Sequence, residues 1–142
     1  MSLAVLDCPT GLAGNMLLAA LLDLGVPEAV VHGPLAALGL DGLYRLDLEE
    51  RRSAGLRGRH LSVAVLEPQP GHRHWGVLKG QLAQVAWPEA LRERVLAVFG
   101  LLAEAEAAVH GHAPEQVHFH EVGAIDALVD VVGAVSYTHL TL

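Results

Sequence analysis

Apolar and polar positions alternate along the chain with several distinct periods, and each period predicts an element. Leu3 to Leu6 is a continuous apolar run ended by Asp7-Cys8-Pro9-Thr10-Gly11, as expected of a short buried strand entering a tight glycine-containing loop. Met16 to Leu24 is dense in Leu and Ala. Asn15 is placed to cap that helix, and Gly25 stands where a helix end takes a left-handed residue. A second short helix is expected from near Pro27, which a first turn tolerates, to near Gly39. Leu43 to Glu50 alternates and Arg59 to Glu67 alternates less regularly, with Gly55 and Gly58 between them, so the pair predicts an antiparallel hairpin. Pro68 to His74 reads as a loop and Trp75 to Val85 as a helix. Pro88 opens the longest helix, Glu89 to about His110. Its predicted core line is Leu91, Val95, Val98, Leu102, Ala105 and Val109, and Arg92, Glu93, Arg94, Glu104 and Glu106 form its solvated side. Beyond the extended stretch around His118, Ile125, Leu128, Val129 and Val132 fall at i, i+3, i+4 and i+7, a helical stripe that begins near Val122.

One N-terminal strand, a β-hairpin, a His-x-His strand and several packed helices predict an α/β domain of the two-layer α+β kind over residues 1–134. At 142 residues and 52% hydrophobic content, the chain can bury a core as one domain. Its 16 acidic against 9 basic side chains leave a formal charge of −7. That balance would repel a phosphate backbone, and no basic run offsets it, so nucleic acid is excluded as a partner. Cys8 is the single cysteine, which rules out an internal disulfide and favours a reducing cytoplasm. No run approaches the length of a membrane span, and the N-terminus lacks the charged start of a secretory signal.

Chemistry concentrates in the nine histidines, six of which form the pairs His72/His74, His110/His112 and His118/His120. In an extended segment Val117 to Glu121, alternation sends His118 and His120 to one face and Phe119 to the other. Glu121 follows at once and Asp126 opens the next helix, so a mixed nitrogen and oxygen site for nickel, zinc or another divalent ion is expected there. His72 and His74 flank Arg73 in the Pro/Gly loop, where they are either solvated or join that site. For His110 and His112 a structural role is expected, imidazolium complementing the helix dipole with Gly111 as the cap. The turn Asp7 to Met16 could hold a phosphate or carboxylate on its amides, although it lacks the lysine of a P-loop and the G-x-G-x-x-G of a dinucleotide site. A tight turn capped by Asn15 explains it equally well.

Taken together, Leu6-Asp7-Cys8-Pro9-Thr10-Gly11-Leu12-Ala13-Gly14-Asn15-Met16 and Val117-His118-Phe119-His120-Glu121-Val122-Gly123-Ala124-Ile125-Asp126 resemble the N-terminal region of the LarC nickel-insertion proteins. The resemblance spans nearly all of residues 3–134. It implies an enzyme, a nickel chelatase-type lyase or cyclometallase, that uses CTP to place nickel in pyridinium-3,5-bisthiocarboxylic acid mononucleotide and so makes the nickel-pincer cofactor. It also implies that CTP and its divalent cation bind in a C-terminal region beyond this chain, leaving the fragment inactive alone. On this reading His118, His120 and Glu121 take up nickel, with His72 and His74 delivering it or completing the coordination. Asp7, Gly11, Gly14 and Asn15 would face the substrate's phosphate or carboxylates, and Asp126 would orient a histidine. Two positions depart from the family pattern: Asn15 stands where an Asp is usual, and Pro9 where an aromatic is usual.

Residues 135–142 read differently, since Val135-Ser136-Tyr137-Thr138-His139-Leu140 looks like a translated sequencing adapter, a non-native tail. Two rival functions stay open at this stage. One is a nickel-binding or storage module without catalysis, and the other is a metal-dependent hydrolase domain, for which further ligands are not identifiable. A homo-oligomer is compatible with either.

Overall fold

The chain places its most continuous apolar helix at the centre and wraps the other elements around it. The computed structural model describes residues 5–66, 73–120, 122 and 124–140, of which 138–140 by backbone only. Helix α1 runs Gly14–Asp23 and α2 Ala29–Ala37. Strands β1 (Tyr44–Ser53) and β2 (Leu56–Val65) form the hairpin, and the two-residue strand β3 (Arg73–His74) leads directly into α3 (Trp75–Gln84). Helix α4 (Glu89–His110), a 3-10 turn (Pro114–Gln116), strand β4 (His118–Phe119) and α5 (Ile125–Leu140) complete the order. The described residues thus form five α-helices and two small antiparallel sheets, an α+β fold.

The stripe predicted on α5 is the heart of the core. Ile125, Leu128, Val129 and Val132 are all buried, and the helix packs against α1, α2, α4 and β2. At Gly133 a β-carbon would meet Val31 Cγ1 at 3.0 Å and Leu18 Cδ2 at 3.1 Å, so the missing side chain lets α1 and α2 approach α5 closely. The hairpin offers the core one face. Tyr44 lies opposite Val65, Leu46 opposite Val63 and Leu48 opposite Leu61, three apolar cross-strand pairs that alternate with charged residues. Arg57 fastens the hairpin to α1 through two bonds to the Asp23 carboxylate at 2.8 and 2.9 Å.

The structure departs from several sequence-based expectations. Of the predicted strand Leu3 to Leu6, Leu3 and Ala4 lie outside the described residues; Val5 and Leu6 are exposed and outside any strand, and no strand among the described residues pairs with them. Helix α1 begins before Asn15, with Ala13 at its N-cap and no side-chain cap bond. The Asn15 amide instead donates to the Leu61 carbonyl at 3.2 Å, tying α1 to the hairpin. The hairpin extends further than its alternation suggested, turning at Ala54-Gly55 and taking Gly58 into β2. On α4 the buried line is Leu91, Val95, Phe99, Ala103 and Ala107, while Ala105 and Val109 face solvent. Two apolar lines overlap on that helix, and the stacking of Phe99 on Trp75 at 6.5 Å selects between them. The ends of α1, α2 and α4 fall at Gly25, Gly39 and Gly111 as expected, each with positive φ.

Candidate metal centre

The His-x-His segment is positioned by its apolar neighbours. Val117 and Phe119 are buried, and Phe119 packs edge-on against Trp75 at 5.9 Å between ring centres. Because Phe119 points inward, His118 before it and His120 after it are turned outward to solvent. Alternation therefore places both imidazoles as the sequence suggested, although the strand itself covers only His118–Phe119.

The partner of that strand corrects the last two residues of the predicted loop, whose residues 68–72 lie outside the described ones. Arg73 and His74 form β3, antiparallel to β4, with Arg73 opposite Phe119 and His74 opposite His118. The His74 and His118 rings consequently meet edge to face with centres 4.7 Å apart. The two imidazoles come from segments far apart in sequence, and two backbone strands fix their separation. Arg73 is half-buried, and burial pulls its guanidinium below the usual arginine range.

His74 also caps α3, its Nδ1 accepting from the Gly76 N–H at 3.2 Å. A neutral imidazole whose Nδ1 accepts must carry its proton on Nε2. In this arrangement His74 has no lone pair left for a metal ion, and ligation through it would require giving up the cap.

These residues form one wall of a cleft of about 590 Å³ whose lining includes His74, His118 and His120. The rest of the lining was not anticipated as part of the site. They are Glu106 and His110 of α4, His112 just past its end, and Gln116 and Val117. His110 Nε2 lies 3.3 Å from Glu106 Oε1, one helical turn back, and the His110 and His112 rings stack with centres 6.5 Å apart. Gly111, with φ of 68°, makes the cap expected of it, and it is that reversal which brings His112 round beside His110. The signal available in the sequence was the short distance between the two pairs. A turn of seven residues (111–117) between an α-helix end and a strand keeps both on one side of the fold.

The described lining of the cleft carries negative and neutral donor groups. Among the described residues it has a carboxylate, five imidazoles and the negative end of a 22-residue helix, and no lysine or arginine. Among the described residues, no three His, Cys, Asp or Glu side chains already stand close enough together to hold one ion. His72 and Glu121, both anticipated as ligands, lie outside the described residues. Asp126 is not part of the cleft lining, and its Oδ1 accepts from the Ala127 N–H at 2.9 Å in the first turn of α5.

The second candidate region, Asp7 to Asn15, is shaped by Asp130. Gly11 N donates to Cys8 O at 3.1 Å in a tight turn, and Asp7 and Cys8 are exposed. The Asn15 backbone N–H is bonded to the Asp130 carboxylate of α5, and Gly14 exists because a β-carbon there would lie 2.4 Å from Asp130 Cβ. The start of α1 thus already faces an acidic group from within the protein. Burial, and then the nearby charge of Asp126, push the Asp130 carboxyl up to about 6. Its Oδ1 is buried without a hydrogen-bond partner.

A family model described as nickel insertion protein matches residues 4–141. Among curated relatives, a protein of Thermomicrobium roseum named for nickel insertion is 48% identical over 136 residues, covering 95% of this chain and 33% of its own length. A similarly named protein of Synechococcus sp. strain JA-2-3B'a(2-13) is 46% identical over 136 residues, covering 94% of this chain and 34% of its own. The pyridinium-3,5-bisthiocarboxylic acid mononucleotide nickel insertion protein of Desulfitobacterium hafniense strain DCB-2 is 43% identical over 135 residues, covering 95% and 33%. The chain spans about a third of the length of the curated relatives it matches. No solved structure matches it.

Proposed function

The chain belongs to the nickel insertion protein family, and on that premise we propose that it is the nickel-acquiring N-terminal part of an enzyme of nickel-pincer cofactor synthesis. The substrate is pyridinium-3,5-bisthiocarboxylic acid mononucleotide, and Ni²⁺ is the second substrate. Insertion is driven by CTP with a divalent cation, held in a region beyond this chain, and the reaction is that of a chelatase-type lyase, or cyclometallase. The setting is the cytoplasm, and a homo-oligomer is a compatible assembly. The observation that carries the reading is the single cleft onto which His118 and His120 open beside His74.

Neutral imidazoles are ligands of intermediate softness that suit Ni²⁺ and still let it pass to thiocarboxylate sulfur. His118 and His120 are the first holders of the ion in this proposal, with Glu121 and His72 as neighbours in sequence able to add donors. His74 acts chiefly by fixing the ring of His118, since its own Nδ1 is engaged at α3. Asp126, whose Oδ1 accepts from the Ala127 amide, keeps its Oδ2 to orient a histidine in this proposal. The turn Asp7 to Asn15, with Gly11 and Gly14, is a poor seat for the substrate's phosphate while Asp130 stands against it.

Isothermal titration of the full-length protein with Ni²⁺ tests this assignment. One tight site is expected, lost in His118→Ala/His120→Ala together with nickel insertion in the presence of CTP. Several weak independent sites that persist in the double variant would instead indicate a storage module. Turnover of an ester or amide without CTP would indicate the hydrolase.

A further inference from the structure

We propose that the ion is shared within the cleft, with His110 and His112 at and just beyond the end of α4 serving as nickel ligands together with His118 and His120. This deepens the reading above and rests on it. Three observations support the shared site. First, the two His-x-His pairs line the same cleft and are joined by a short segment that includes the 3-10 turn Pro114–Gln116. Second, the nearest alternative donor on the β4 wall, His74, is engaged as the cap of α3 and offers no free lone pair. Third, the α4 wall adds negative potential where a divalent ion would sit, from the terminal carbonyls of a 22-residue helix and from Glu106, 3.3 Å from His110.

No three donors are yet within reach of one point among the described residues, so binding has to draw the imidazoles together. His112 is exposed beyond the Gly111 cap, its backbone N–H donating to the Ala107 carbonyl at 3.0 Å, so its ring moves inward by rotation of the side chain alone. Glu106 then serves either as an oxygen ligand or as the acceptor that orients the His110 ring, as carboxylates commonly do for metal-bound histidines. A site open enough to close around an ion is also open enough to release it, as transfer to a second substrate requires.

The test uses the full-length protein and Ni²⁺ alone, read by titration calorimetry and by the number of imidazoles in the nickel X-ray absorption spectrum. His110→Gln/His112→Gln is expected to weaken Ni²⁺ binding by at least about tenfold and to lower the imidazole count while the stoichiometry stays at one ion. His112→Gln alone leaves the Glu106–His110 pair and the Gly111 cap intact, so it separates lost ligation from lost folding, and it is expected to weaken binding in the same direction. Unchanged affinity and imidazole count in both variants, with binding still abolished by His118→Ala/His120→Ala, overturns the shared site and leaves the proposed function standing. Loss of a second, independent ion in His110→Gln/His112→Gln also overturns it. If instead the His118/His120 variant binds normally, the functional assignment itself falls.

Discussion

Single residues set the chemistry on both sides of α5, and Asp130 shows how. An acid whose folded pKa is raised holds its proton more tightly in the folded chain than in the unfolded one. Stability from Asp130 is therefore fully present below about 3.8 and is lost as pH rises through about 6. Asp130→Asn keeps an acceptor for the Asn15 amide and removes that loss. Its denaturation midpoint should exceed the parent's at about pH 7.5 and match it near pH 3.5. An equal gain at both values would mean that charge is not what matters at this position. The same contact makes Gly14 intolerant, because its missing β-carbon is space that Asp130 occupies. Gly14→Ala should cost about 1–3 kcal/mol through overpacking, measured by urea denaturation. Neither effect was legible in the sequence, where Gly14 and Asn15 looked like turn and cap residues and Asp130 like a polar neighbour of the α5 stripe. The residue that explains them lies more than a hundred positions away.

Elements were legible where one local rule decides them. The stripe on α5, the Pro88 start of α4 and the glycine ends of three helices need no tertiary information, and all stand where the pattern put them. The α4 stripe drifted because that helix is apolar on two overlapping lines, and a tertiary contact, Trp75 on Phe99, decides which one is buried. Strand β3 was invisible for a related reason. Two residues carry no periodicity, and Arg73–His74 is a strand only because β4 lies beside it. The hairpin turn holds a local misfit that the alternation could not reveal. Ala54 sits at φ 49° ahead of Gly55 at φ 83°, the paired left-handed geometry of a tight hairpin turn, which favours Asn in the first place. Ala54→Asn should therefore stabilise the protein by about 0.5–1 kcal/mol, since Asn tolerates that conformation better than Ala. A higher urea midpoint at unchanged slope is the expected result, and no shift would mean that the turn carries no strain worth relieving.

At the scale of the whole molecule, the cleft and the core are joined through one aromatic contact. Phe119 and Trp75 are buried, and each is adjacent in sequence to a histidine of the cleft wall: Phe119 to His118 and His120, Trp75 to His74. The position of three imidazoles thus depends on how two rings pack beneath them. The dependence distinguishes Phe119 from equally buried residues such as Leu128, which supports the core from α5 and does not line the cleft. Phe119→Leu should cost about 1–2 kcal/mol of stability through lost apolar burial. It should also weaken Ni²⁺ binding, because the strand that sets His118 against His74 loses its anchor. Leu128→Ala should cost more, about 2–5 kcal/mol, yet leave the Ni²⁺ affinity of the folded protein unchanged. Titration calorimetry at a temperature where both variants remain folded separates the two effects. Equal nickel affinity in both variants would mean that the imidazoles are positioned by the strands alone. Weakened binding in Leu128→Ala as well would mean that the cleft reports global stability, and that the aromatic pair has no special part in shaping it.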